Sequence, residues 1–147
     1  MKTILDKATR EELISRINSL NDDSITQWGK MNVYQMLHHC CLCEELYLGK
    51  INYKRVFLGR LFGKKALNNL LKEETSFPRN VKTSAHFIAT GDGNVAEEKN
   101  KLIELINDYA NYQHPYIVHW FFGKMTKEQI GLFSYKHMDH HLRQFNA

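Results

Sequence analysis

Proline is nearly missing from this 147-residue chain: Pro78 and Pro115 are its only two. The long stretches between them lack the residue that most readily breaks a helix, and they carry apolar side chains at three- and four-residue spacing. Cysteine is scarce and badly placed for cross-linking. Cys40, Cys41 and Cys43 fall in one short stretch, an odd number with no partners elsewhere, which excludes a disulfide framework and fits a reducing compartment. No apolar run approaches the roughly 20 residues that a membrane helix needs. Lys2, Asp6 and Lys7 stand where a secretory leader would be apolar, so a cytoplasmic protein with no membrane partner is expected. Nor does one sign of charge dominate: 20 Lys and Arg against 16 Asp and Glu leave +4, too little by itself to call for nucleic acid. No repeat, low-complexity tract or linker divides the sequence. What is present, 43% hydrophobic content over this length, suffices for one core and a single domain spanning residues 1–147.

The periodicity predicts an all-α fold. Four segments open with a capping residue followed three positions later by Glu or Gln, a pair that can satisfy the free N–H groups of a first turn: Thr9 with Glu12, Asn32 with Gln35, Asn94 with Glu97 and Thr126 with Gln129. Helices are expected from about Thr9 to Leu20, Val33 to Leu48 (stopped by Gly49), Val95 to Tyr112 and Lys127 to Phe145. A basic segment from about Lys54 to Lys72 is a weaker fifth, since Gly59 and Gly63 interrupt it. The stretch from Glu74 to Gly93 reads as an extended crossover, and HPYIVHWFFGK, residues 114–124, as an aromatic loop. Four amphipathic helices, one additional short helix and a long connection make a four-helix bundle.

The last helix carries KHMDHHLRQF, with three histidines within five positions. Residues four apart on a helix stand one above the other, so His137 and His141 can present two imidazoles to one ion, whereas His140 is rotated off that line. A third ligand must come from another helix. The second helix offers His38 and His39; the row through His39 contains Met36, Leu42 and Leu46, which makes His39 the inward-facing one. His38, His86, His114 and His140 read as surface or loop histidines. His119 opens the run His119, Trp120, Phe121, Phe122, which either packs as core or covers a pocket. Cys43 lies one turn beyond His39 and could face the same ion, although a small residue filling a helix interface is the commoner role. Asp139 projects from nearly the opposite side to His137, and Glu44 and Glu45 have no assigned position.

KHMDHHLRQF resembles the C-terminal signature of the DinB-like superfamily, in which a histidine, a second histidine four residues later and a Gln three residues after that lie on the last helix; here these are His137, His141 and Gln144. WGKMNVYQMLHHC, residues 28–40, resembles the second-helix motif of that superfamily and places its histidine at His39. HWFFGKMTKEQ, residues 119–129, resembles the loop of an uncharacterised branch, a domain of unknown function. The resemblance spans about residues 28–145. It implies a four-helix bundle holding a divalent metal at His39, His137 and His141. Better-characterised members have Asn before the first of these histidines and Arg-Gly-Gln after the second, where this chain has Lys136 and Leu142-Arg143-Gln144. That departure bears on the substrate more than on the metal.

Three neutral imidazoles leave a cation its full charge and an open position, where water or a thiol would be acidified. Hydrolysis and thiol transfer are both open. The resemblance implies the second, with a low-molecular-weight thiol as cofactor and a small electrophile as substrate; imidazole suits zinc, nickel, iron and copper alike, and zinc, nickel or iron is the metal expected. Trp120 and Phe122, with His119 beside them, are the expected pocket wall. A bundle that binds metal and a small ligand without turnover is the rival, and a homodimer is left open. Nucleic-acid binding through Arg55, Arg60, Lys64, Lys65 and Lys72 is disfavoured, because a solvated amphipathic helix has the same pattern and no nucleic-acid motif accompanies it.

Overall fold

The computed structural model describes residues 1–72, 76–81 and 83–147. Among them are five α-helices and one two-stranded sheet: α1 (Lys7–Ser19), α2 (Val33–Tyr47), α3 (Phe57–Leu70), α4 (Val95–Asp108), β1 (Tyr116–His119), β2 (Gly123–Thr126) and α5 (Lys127–Gln144). Helix α2 packs against α4 and α5, and α1 packs against the same two. Leu13 and Ile17 of α1, Met36 and Leu37 of α2, Leu102 and Ile106 of α4, and Ile130 and Met138 of α5 are almost wholly removed from water. Burying side chains of this size contributes about 1.5–3 kcal/mol each, which drives the helices together. None of the helices among the described residues is long and apolar enough to cross a membrane.

The caps explain where the two site-bearing helices begin. At α2 the Asn32 side chain accepts from the Gln35 backbone N–H at 2.8 Å, and the Gln35 side chain accepts from the Asn32 N–H at 3.1 Å. At α5 Thr126 and Gln129 make the same reciprocal pair. Asn94 caps α4 by accepting from the Glu97 N–H at 3.1 Å. Thr9 caps nothing: α1 starts two residues earlier, after Asp6, and Thr9 is buried inside it. The start is held by one tertiary contact, the Ile4 N–H donating to the Gly131 carbonyl, and by the Arg10 guanidinium, which reaches back from the first turn to donate to the carbonyls of Ile4 and Leu5.

The all-α expectation needs correction at residues 116–126. Tyr116, Ile117, Val118 and His119 alternate exposed and buried, the period of a strand, and pair antiparallel with Thr126, Met125, Lys124 and Gly123. Gly123 takes φ +77°, a left-handed conformation open to glycine, and closes the turn over Trp120, Phe121 and Phe122. Helix α3 lies on this hairpin. Gly59 and Gly63 face the Phe121 backbone so closely that a Cβ at either would collide with it. The segment before α4 is not wholly extended, since Ala85–Phe87 form a 3₁₀ turn capped by Ser84. Glu73, Glu74, Thr75 and Lys82, which fall in or beside the expected crossover, lie outside the described residues.

Candidate metal centre

Helix α2 carries His39 and Cys43 one turn apart, and α5 carries His137 and His141 one turn apart. The α2–α5 contact brings the two rows together. His39, Cys43 and His137 are buried, and one ligand atom from each lies within 4.8 Å of the other two. The Nε2 atoms of His39 and His137 are 3.4 Å apart, and Cys43 Sγ is 3.7 Å from His39 Nε2. Two nitrogens bound at about 2.0–2.1 Å to one tetrahedral ion stand about 3.3 Å apart, and a nitrogen and a sulfur about 3.6 Å. Both observed separations fit one shared ion. His141 stands outside that group of three ligand atoms, but its ring is edge-on to both partners, with centroids 4.9 Å from His39 and 4.7 Å from His137.

The hydrogen bonds around the rings decide which nitrogens are bare. His39 Nδ1 is 2.7 Å from the Phe87 carbonyl, which only accepts, so Nδ1 carries the proton and Nε2 presents its lone pair inward. Gln144 donates its Nε2 to the Trp28 carbonyl at 2.7 Å, which turns Oε1 toward His141 Nδ1 at 3.0 Å. His141 Nδ1 therefore donates, and its Nε2 is the free acceptor. Acceptors that hold the second ring N–H in this way are the usual supports of metal-binding histidines. Gly29, at φ +85°, leaves room for the Gln144 amide; a Cβ there would stand 2.7 Å from Gln144 Nε2. Among the described residues His137 Nδ1, on the side of the ring away from His39, is buried with no hydrogen-bond partner. Such an atom costs stability unless the site recovers it.

Burial keeps these groups uncharged. It lowers His39 despite the opposing Phe87 hydrogen bond, lowers His137 well below the ordinary imidazole value with His141 and His39 adding to the effect, and holds His141 at about 3. Neutral imidazole is the ligating form. Burial also raises the Cys43 thiol, which hydrogen-bonds Tyr47. Phe133 stacks on His137, and Tyr47 and Phe77 present their edges to it. Beyond Phe77 and His140 a cleft of about 400 Å³ opens, lined also by Trp28, Arg79 and Arg143.

The expected pocket wall lies one layer out. His119 is buried under the hairpin turn, where its Nδ1 accepts from the backbone N–H groups of Phe121 and Phe122 at 3.1 and 3.2 Å, and burial holds it at about 3. Phe122 packs on His119 and on Phe133, which in turn covers His137; Trp120 stacks on Phe87, whose carbonyl holds His39. Cys43, for which the sequence favours a helix-interface role, joins the cluster instead, and its one-turn spacing from His39 is the signal for it. Glu44, which has no position assigned by the sequence, is a second residue placed by the fold. Its carboxyl is fully buried, accepts from Tyr109 and Ser134 and is pushed up to about 7 by burial. Glu45 instead pairs with Lys101 at the surface.

Fold and site together define a mostly helical protein with a small hairpin and a buried His, Cys and His cluster that could hold a metal ion. The chain belongs to the family described as Protein of unknown function (DUF1569), whose model matches residues 2–147. No curated protein and no solved structure matches it.

Proposed function

We propose that the protein is a metal-dependent enzyme of the DinB-like type, built on a four-helix bundle of α1, α2, α4 and α5. In this reading His39, His137 and His141 hold zinc, nickel or iron, and a low-molecular-weight thiol is transferred to a small electrophile. The observation that carries the metal is the 3.4 Å approach of two uncharged imidazole nitrogens, each buried and one fixed with its lone pair inward. The thiol rests on the resemblance of residues 28–40 and 136–145 to that superfamily.

When bound, a divalent cation with a free coordination position lowers the pKa of a thiol or water entering it. The chain's own groups do the rest. The Phe87 carbonyl and Gln144 fix two rings, and Phe133 and Tyr47 keep bulk water off His137. In the transfer the thiol sulfur forms a bond to carbon, the electrophile's leaving group departs with the bonding pair, and the thiol proton passes to solvent.

Cys43 favours a second reading. Cys43 Sγ is 3.7 Å from His39 Nε2 and groups with His39 and His137; a four-ligand set with His141 added would close the centre and make it a structural or binding site without turnover. The discriminating experiment is conjugation of a generic electrophile with a panel of small thiols, comparing metal-loaded and chelator-stripped protein. The enzyme reading expects metal-dependent acceleration that is lost in His141→Ala and kept in Cys43→Ser. No acceleration in protein that contains the ion, with metal lost in Cys43→Ser, establishes the closed centre instead.

A further inference from the structure

Helix α3 is seated by its glycines, and this decides what it shows to solvent. Gly59 and Gly63, one turn apart, lie on the Phe121 backbone with Leu67 buried a turn further on. The opposite rows must point outward. Phe57 is 72% exposed, Leu58 60%, Leu61 60% and Phe62 58%, so four large apolar side chains, two on each of two adjacent rows, form one uncovered face. Single exposed apolar residues are ordinary; a contiguous group on a helix that turns its small residues inward is not.

Between Glu45 and Glu73 the chain carries charge of one sign. Residues 46–72 contain seven Lys and Arg and no Asp or Glu, which leaves 13 basic against 16 acidic residues for the rest of the chain. Lys50 is paired with Asp108, and Arg55 turns inward to donate to the Gly59 carbonyl. Lys54, Arg60, Lys64 and Lys65 are exposed and form no ion pair among the described residues. Lys65 continues the Phe57 and Leu61 row, and Arg60 and Lys64 form the row beside it.

We infer that α3 is a peripheral docking helix for an anionic lipid surface. Its four apolar side chains enter the boundary between headgroups and acyl chains, while Lys54, Arg60, Lys64 and Lys65 meet lipid phosphates. A second copy of this chain would bring the same cations face to face. A nucleic acid would satisfy the cations and leave Phe57 and Leu61 in water. An anionic bilayer surface satisfies both, without any segment that crosses it. The inference is independent of the metal centre.

The test is flotation of the full chain with vesicles of phosphatidylcholine alone and of phosphatidylcholine with phosphatidylglycerol. Binding is expected only to the anionic vesicles and should weaken as salt rises. Leu61→Ser/Phe62→Ser should lose at least about tenfold in affinity through lost apolar contact, and Lys64→Gln/Lys65→Gln roughly thirtyfold through lost attraction to the surface. Both variants should keep the wild-type circular dichroism and melting temperature, since the altered side chains are exposed. The inference is overturned if anionic vesicles do not bind the wild type or if both variants bind like it. It is also overturned if a single-stranded oligonucleotide binds at physiological salt and displaces the vesicles, or if sedimentation shows a dimer that Leu61→Ser/Phe62→Ser dissociates.

Discussion

His39 on α2 and His137 on α5 face each other through their Nε2 atoms at 3.4 Å, and the His39 nitrogen is bare because its Nδ1 proton is committed to the Phe87 carbonyl. Without an ion the approach is a long hydrogen bond, with His137 Nε2–H donating to the bare His39 Nε2. With a cation between them the same geometry becomes two ligand bonds, which is why the residues that orient the rings matter as much as the rings.

Gln144 is the sharpest case, since it touches His141 and the Trp28 carbonyl and nothing in the cluster directly. Gln144→Ala should weaken metal binding about 10- to 100-fold, the usual effect of removing such a support. His140→Ala and His38→Ala should leave it unchanged. Competition with a chromophoric chelator measures all three.

Cys43 can be read by spectroscopy. Cobalt(II) bound by three imidazoles should show no thiolate-to-metal charge-transfer band in the near ultraviolet. A band that disappears in Cys43→Ser would place sulfur in the coordination sphere and favour the closed centre.

The pH dependence of the metal-free protein carries two opposed signatures. His119 and His141 are held at about 3, below the ordinary 6.5, so the stability they contribute is present above 6.5 and is lost as pH falls toward 3. Glu44 is held at about 7, above the ordinary 4.5, so its contribution is full below 4.5 and is lost as pH rises through 7. Glu44→Gln should therefore gain stability relative to wild type between pH 4.5 and 7 and show no further relative change below 4.5. His119→Asn should shrink the acid-side loss. Urea unfolding across this range checks both slopes.

Gly63→Ala tests the seat of α3. In a solvent-exposed helix interior this change stabilises by about 1 kcal/mol through propensity. Here the added Cβ meets the Phe121 carbonyl, so the sign should reverse to a loss of about 1–3 kcal/mol. Asn68→Ala, on the exposed side of the same helix, should be near neutral. Thermal unfolding compares the two.

Much of the helical frame was legible because it is local. The pairs Asn32 with Gln35 and Thr126 with Gln129 are sequence patterns and also hydrogen bonds, and the apolar row through His39 turned that residue rather than His38 inward. Thr9 with Glu12 matches the same pattern and fails, because the residues before α1 are held by the Gly131 carbonyl and by the Arg10 guanidinium reaching back to Ile4, which draws the helix start ahead of Thr9. The hairpin was hidden by its shortness: four alternating residues in an aromatic run look like a loop, and the turn depends on His119 accepting two backbone N–H groups. At the centre, histidine spacing was visible in the sequence. The Phe87 carbonyl, 48 residues from His39, was not, since a backbone group gives no signal of where the fold will carry it.

The most direct test is the metal content of the purified protein, measured by elemental analysis after equilibration with zinc, nickel or iron and removal of excess. The account predicts close to one divalent ion per chain in the wild type, with sharp loss in His39→Ala, His137→Ala and the double variant His137→Ala/His141→Ala, and full retention in His38→Ala and His140→Ala. A wild type that stays metal-free, or a double variant that keeps its ion at full occupancy, would contradict it.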